Sequence, residues 1–254
     1  MPTPLEFMNQ YRNISVDIEV DDNAARVCRS ASVSVKLNKY FLMNWLAGTS
    51  QMSHFAAVTA GSPKDAWYRE HKEDIRTAAM GKGSPEDYGL ALQWAVYSKH
   101  IQNPSQATIQ AYFDQNMGID CSGFVTNYLI ANGKKLDSPT TRQNTSAASY
   151  FNAAQAVNDS TQVRQGDLLV FMNGNSVLTG PGHVAVVESY VPQCSPAGNM
   201  RVVEATGAPG ANPKLLDSMY SVEKIISKGG TVPCMIFVVK RHGVSGSRVS
   251  VIRL

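Results

Sequence analysis

The chain has 254 residues, 43% of them apolar and 17% charged, with a formal net charge of +3 and a pI near 8.6. Such a length can bury a full core as one large domain or two small ones. The charge is too mild to argue for nucleic acid as a partner, although it is compatible with an anionic polymer such as a cell wall. Met1 to Met8 lacks the basic start and apolar centre of a signal peptide, and no apolar run approaches a membrane span. The expectation is synthesis in the cytoplasm without a signal peptide, no membrane span, and a signal-independent route for any export.

Ile14 to Val20 alternates apolar with polar residues, Asp21-Asp22-Asn23 reads as a turn, and Val27 to Leu37 alternates again through Val33 and Val35. Two alternating runs about a polar turn predict a hairpin. From Pro63 the period lengthens to that of helices. Lys64 to Met80 predicts a charged helix ended by Gly81-Lys82-Gly83, a stretch without the further glycines and preceding strand of a phosphate loop. Ser84-Pro85-Glu86-Asp87 is a helix start, with a cap, a proline in the first turn and acids at the positive end. Leu90, Trp94 and Tyr97 share a face of that helix. Asn103-Pro104 opens another, apolar at Ile109, Tyr112 and Phe113. His54, His71 and His100 each stand apart from other ligand types, as solvated or core histidines do.

Gly118 to Val125 places a thiol between turn-formers and an apolar run. Asp120 is a good N-cap, so Cys121 falls in the first turn of a helix that carries Phe124, Tyr128 and Leu129 and stops near Gly133. The partial positive charge of a helix start favours a thiolate. A small buried residue is the commoner role of a free cysteine, so the nucleophilic reading needs partners elsewhere in the chain. A polar stretch, Lys134 to Asn144, and a short helix around Ser146 to Ala156 follow. The remainder predicts strands at Leu168 to Phe171, His183 to Val187, Met200 to Ala205, Met235 to Val239 and Val249 to Leu254.

A thiol nucleophile needs a base, and His183 is the one histidine fixed at a strand start after a glycine turn. Its second ring nitrogen needs an orienting group. In Val202-Val203-Glu204-Ala205-Thr206, on the next predicted strand, Glu204 is the one ionisable residue, and an antiparallel pairing puts it on the same side as His183. Glu188 has the opposite strand parity, and Asp120 and Asp167 read as cap and turn residues. The backbone N–H of Cys121 is the natural first oxyanion donor. The four cysteines, Cys28, Cys121, Cys194 and Cys234, have no zinc-ligand spacing, so no metal and no cofactor is expected. If Cys121 must stay free, Cys194 and Cys234 could pair in an oxidising compartment, leaving Cys28 alone; spacing does not fix that pairing.

Asp120-Cys121-Ser122-Gly123-Phe124-Val125, then Gly166-Asp167-Leu168-Leu169-Val170-Phe171, then Gly182-His183-Val184-Ala185-Val186-Val187, resemble the NlpC superfamily of papain-like cysteine peptidases. The span His183 to Glu204 is also similar to the CHAP amidases, in which a glutamate follows the histidine strand. The resemblance implies an α+β, papain-like fold, with N-terminal helices that carry the cysteine packed on a C-terminal antiparallel sheet. Residues 1–82 would be a mixed region of unknown role and 83–254 the catalytic domain. It implies a cysteine amidase or endopeptidase that cleaves amide bonds in peptidoglycan peptides through an acyl-enzyme, with Cys121, His183 and Glu204 catalytic. Papain-like peptidases carry an oxyanion glutamine at the spacing of Gln115, and Tyr112 is the other upstream candidate for that second donor. A compact enzyme of this type without a signal is similar to amidase effector toxins that bacteria inject into competitors, for which an immunity or secretion-system protein would be a partner. Two rival readings stand beside it. The same Cys–His site could deamidate or transfer acyl groups on a target protein, or the chain could be a binding module in which Cys121 is structural.

Overall fold

The computed structural model describes residues 1–22, 27–40, 63–180, 182–193, 197–208, 211 and 213–254. The chain opens with a helix that the alternating pattern after it had obscured, α1 (Pro4–Gln10). Thr3 caps it, and Glu6 returns a bond to the Thr3 N–H at 2.8 Å, which satisfies donors at both ends of the first turn. Phe7 and Met8 of α1 are buried. The expected hairpin forms from β1 (Ile14–Asp22) and β2 (Val27–Val35), paired antiparallel from Ile14↔Val35 to Asp22↔Val27. Asp21 and Asp22 belong to the strand, not to a turn, and Asn23 lies outside the described residues, as does His54.

Among the described residues, five helices follow: α2 (Pro63–Ala79), α3 (Pro85–Tyr97), α4 (Gln106–Asn116), α5 (Cys121–Ala131) and the short α6 (Pro139–Gln143). The predicted caps form, with Ser84 starting α3 and Asp120 starting α5. Gly133 has φ +67° just past the end of α5, the left-handed conformation that glycine adopts without strain. The polar stretch after it contains α6, and the short helix expected around Ser146 is instead two brief turns at Ala147–Tyr150 and Ala153–Gln155. Packing is continuous across residue 82. Phe7 and Tyr11 lie 5.8 and 6.0 Å, centroid to centroid, from Phe124 of α5, within one core that also buries Ile14, Trp94, Phe113 and Leu129. Residues on both sides of the boundary expected at 82 therefore share one apolar interior. Each large side chain so buried contributes roughly 1.5–3 kcal/mol.

The second half is a sheet of β3 (Leu168–Asn173), β4 (Ser176–Val177), β5 (Val184–Pro192), β6 (Gly198–Ala205), β7 (Leu215–Ile226), β8 (Ile236–Arg241) and β9 (Val244–Ile252). Its order is β4-β3-β5-β6-β7-β8-β9, and β9 also pairs with β3. All strands but β4 thus close into an antiparallel barrel. Strand alternation sorts its side chains into two cores. Leu169, Phe171, Ala185, Val187, Val202 and Tyr220 fill the barrel, whereas Leu168, Val170, Val184, Val186, Val203 and Ala205 face the helices. The fold is α+β, as expected from the order of helices and strands. Among the described residues, no helix is long and apolar enough to cross a membrane.

Candidate active site

Helix α5 begins where the barrel ends. Asp120 accepts the Gly123 N–H as N-cap, and its own N–H donates to the Gly81 carbonyl at 3.0 Å. Gly123 is required by this approach, since a Cβ there would stand 2.5 Å from the Gly81 oxygen. The buried Lys82 then grips the helix start: its Nζ lies 2.8 Å from Asp120 Oδ2 and 3.0 Å from Oδ1, donates to the Thr145 carbonyl at 2.9 Å, and bonds Ser122 Oγ. Cys121, the first residue of α5, is thereby held with its amide and thiol at the mouth of the barrel.

β5 and β6 pair antiparallel with Val186 opposite Val203, which puts His183 and Glu204 on the barrel-interior side at one end. His183 Nε2 donates to Glu204 Oε2 at 2.7 Å, and Phe171 packs edge-on against the imidazole with centroids 4.9 Å apart. Glu204 is fully buried. Its other oxygen, Oε1, accepts from His242 Nε2 at 2.9 Å, and Arg241 Nη1 lies 3.4 Å from Oε2. Burial pushes this carboxyl up, but the bonds from His183 and His242 and the charge of His183 outweigh it and hold Glu204 well below the usual carboxylate range.

Burial pulls the His183 imidazole down. Its bonds to Cys121 and Glu204, with the charges of both, overcome that and push it up to about 9. The same contact acts on the thiol. Burial pushes Cys121 up, but the bond to His183 and the charge of its ring, helped by the Val184 N–H and opposed by Asp120, bring it below its ordinary value. Both directions favour one state, a thiolate beside an imidazolium, with Glu204 ionised behind it.

Tyr40 completes the surroundings of the thiol. The Lys39 carbonyl accepts the Ile119 N–H at 3.1 Å, and Tyr40 bridges to Ile119, so an early segment runs beside the start of α5. Tyr40 Oη donates to Cys121 Sγ at 3.8 Å, and the Cys121 N–H is directed at that hydroxyl. Burial, then the charges of Cys121 and Asp120, raise the phenol above its ordinary value, so it stays a donor. A cavity of about 280 Å³ opens on the sulfur between Tyr40, Lys82, Thr145, Ser146 and Thr179. A larger one, about 640 Å³, is lined among others by Glu6, Asp17, Glu86 and Gln93 and by no cysteine or histidine.

Of the residues nominated from the sequence, Cys121, His183 and Glu204 come together. Gln115 and Tyr112 do not line the cavity at the thiol. Gln115 is exposed on α4, and Tyr112 packs against the helical core, where burial pushes its phenol up to about 12. Their place beside the sulfur is taken by Tyr40. Cys234 is a buried, free thiol that accepts a bond from Ser250 Oγ at 3.3 Å, and Cys194 lies outside the described residues. Asp167 is a turn residue held by Arg253, His71 packs on Trp67 at 4.5 Å, and neither lines the cavity at the thiol. Among the described residues, no group of three or more His, Cys, Asp or Glu side chains could hold a metal ion.

A thiol, an imidazole and a buried carboxylate, beside a helix start and a phenol, are a set of groups able to support nucleophilic attack by sulfur. Residues 110–206 match the CHAP domain, a family of papain-like cysteine peptidases and amidases whose members are typically hydrolases associated with peptidoglycan. The match contains Cys121, His183 and Glu204, while Tyr40, Lys82, Arg241 and His242 lie outside it. It bears out the similarity to CHAP amidases, and the NlpC resemblance has no counterpart in it. No curated protein and no solved structure matches the chain.

Proposed function

We propose that the chain is a cysteine amidase or endopeptidase that cleaves amide bonds in peptidoglycan peptides, on a papain-like arrangement of helix and barrel. The single observation that carries this reading is the 2.7 Å bond between His183 and the fully buried Glu204, on the far side of a ring that lowers the Cys121 thiol. The Cys121 thiolate attacks an amide carbonyl in the cavity, forming the C–S bond. The oxyanion that develops is met by the Cys121 N–H and the Tyr40 hydroxyl, a reading supported by the position of that hydroxyl beside the sulfur. His183, as imidazolium, gives its proton to the departing amine, and Glu204 holds the ring in the required orientation throughout. Water, deprotonated by the now neutral His183, then releases the acyl group and restores the thiolate.

The family match between residues 110 and 206 supports the choice of peptidoglycan as substrate. Incubating the protein with purified sacculi and reading the soluble fragments by mass spectrometry tests it. Wild-type protein should release peptides with new amino and carboxyl ends, and Cys121→Ala should release none. Undiminished release by Cys121→Ala would remove the thiol from the mechanism.

A further inference from the structure

Resting on the reading of Cys121, His183 and Glu204 as the reacting site, we propose that His242 is a positioning residue that locks the Glu204 carboxylate onto His183. The two imidazoles divide one carboxylate between them, His183 Nε2 on Oε2 at 2.7 Å and His242 Nε2 on Oε1 at 2.9 Å. A carboxylate gripped at both oxygens cannot rotate about its last bond, so its lone pairs stay aimed at the ring that serves the thiol. His242 comes from an element remote in sequence, the β8–β9 turn, and lies outside the CHAP match.

The backbone at this turn gives a second, independent reason. Arg241 pairs with Val244 across two central residues, His242 with φ 45° and Gly243 with φ 81°. Positive φ at both central positions defines the tight hairpin turn for which Asn-Gly is the favoured pair. A histidine at the first of them is strained where asparagine would not be, and strain kept beside an active carboxylate points to a use for the side chain. The imidazole is long enough to reach Glu204, whereas an asparagine side chain is too short.

The charged and titratable groups around His242 are Glu204 on β6, Tyr220 on β7 with its ring 6.4 Å away, and its neighbour Arg241, which also reaches Tyr220 Oη at 3.3 Å and covers the Phe171 ring at 4.4 Å. Those around the thiol are His183, Tyr40 and Asp120, the last bridged to Lys82. Removing the His242 donor leaves Oε1 without its imidazole partner, while Arg241 and the Ser218 and Tyr220 side chains stay beside the carboxylate. The carboxylate can then swing, the imidazolium is less well held, and the thiolate loses its partner.

The test is the pH dependence of Cys121 alkylation by iodoacetamide, read beside thermal unfolding, in wild type, His242→Asn and His242→Gln. His242→Asn should unfold at a higher temperature, because the turn is relieved. It should also move the alkylation midpoint to higher pH by about one unit, because the thiolate is less stabilised. A residue serving only the turn would not give this opposition of signs. His242→Gln keeps an N–H within reach of Glu204 and should keep the wild-type midpoint. An unchanged or lowered midpoint in His242→Asn would overturn the proposal, as would a shift in His242→Gln as large as that in His242→Asn. Wild-type protein with an ordinary thiol midpoint would overturn the ion-pair reading itself and this inference with it, so the two failures are distinct.

Discussion

Replacing Glu204 by glutamine changes one charge and almost no volume at the most buried point of the site. The carboxylate accepts from His183 at 2.7 Å and His242 at 2.9 Å, with Arg241 at 3.4 Å. An amide can accept from one imidazole but turns an NH2 toward the other, so at least one charge-assisted bond is lost, worth about 1.5–3 kcal/mol. Breaking a buried ion pair costs about 3–5 kcal/mol, and the expected loss of stability near pH 6 is therefore ~3 kcal/mol. The pH dependence has a definite sign. Glu204 is depressed, so its contribution is present above its ordinary value of 4.5 and fades as the pH falls below it. His183 is raised, so its contribution is complete below 6.5 and disappears as the pH rises through about 9. The stability difference between wild type and Glu204→Gln should be greatest between those two ordinary values and should shrink by about pH 10. Activity falls for the same reason. The rise of His183 from 6.5 to about 9 is equivalent to roughly 3 kcal/mol in favour of imidazolium, shared between Cys121 and Glu204. Losing about half of that lowers the ratio of ion pair to neutral pair ~10-fold, and misorientation of the ring adds to the loss of activity. Urea unfolding in the two pH regimes, with kcat/KM on solubilised peptidoglycan peptides, gives both quantities. An equal stability difference on either side of about pH 9, or an unaltered kcat/KM, would refute this reasoning.

Tyr40→Phe removes one donor beside the sulfur without disturbing packing, so kcat should fall roughly 10²-fold or more with KM little changed; equal loss in kcat and gain in KM would argue against an oxyanion role. Lys82→Met leaves the Asp120 carboxylate without its cation at side-chain exposures of 5% and 12%, which should cost about 3–5 kcal/mol in denaturant unfolding. The same change exposes the thiolate to an uncompensated negative neighbour, so Cys121 alkylation below neutrality should slow; an unchanged rate would show that Asp120 is not felt at the sulfur. Above about pH 9 hydrolysis should decline as His183 loses the proton it must give to the leaving amine, whereas alkylation should not. Parallel decline of both would mean that the imidazolium is not the general acid.

The parts of the site that could be read in the chain are those fixed by local rules. Asp120 is a cap, so Cys121 had to lie at a helix start; strand parity set His183 and Glu204 on one side and sent Glu188 elsewhere. The second oxyanion donor could not be found this way. The spacing in papain-like peptidases points to Gln115, with Tyr112 as the other upstream candidate, but the phenol beside the sulfur is that of Tyr40, which a bridge to Ile119 carries across the fold. Lys82 was visible only as part of a failed phosphate loop, because its partner Asp120 is 38 residues further on and the pairing is tertiary. Nothing local to His242 tells which carboxylate its imidazole meets, because Glu204 is 38 residues earlier. Similar limits held for the fold. The capping box Thr3 to Glu6 was present but overshadowed by the alternation after it, and β7 was missed because Leu215 to Ile226 mixes buried and exposed positions irregularly. Barrel closure depends on β9 reaching β3, a contact between sequence-distant strands that periodicity does not encode.

The most direct test is the ultraviolet absorbance of the Cys121 thiolate, taken as the difference between wild type and Cys121→Ala across the pH range. A thiolate held by His183 predicts a difference signal already present well below neutrality and level through it. A single titration near the ordinary thiol value of 9.0 would contradict the account, because the fold would then hold a neutral thiol beside a neutral ring.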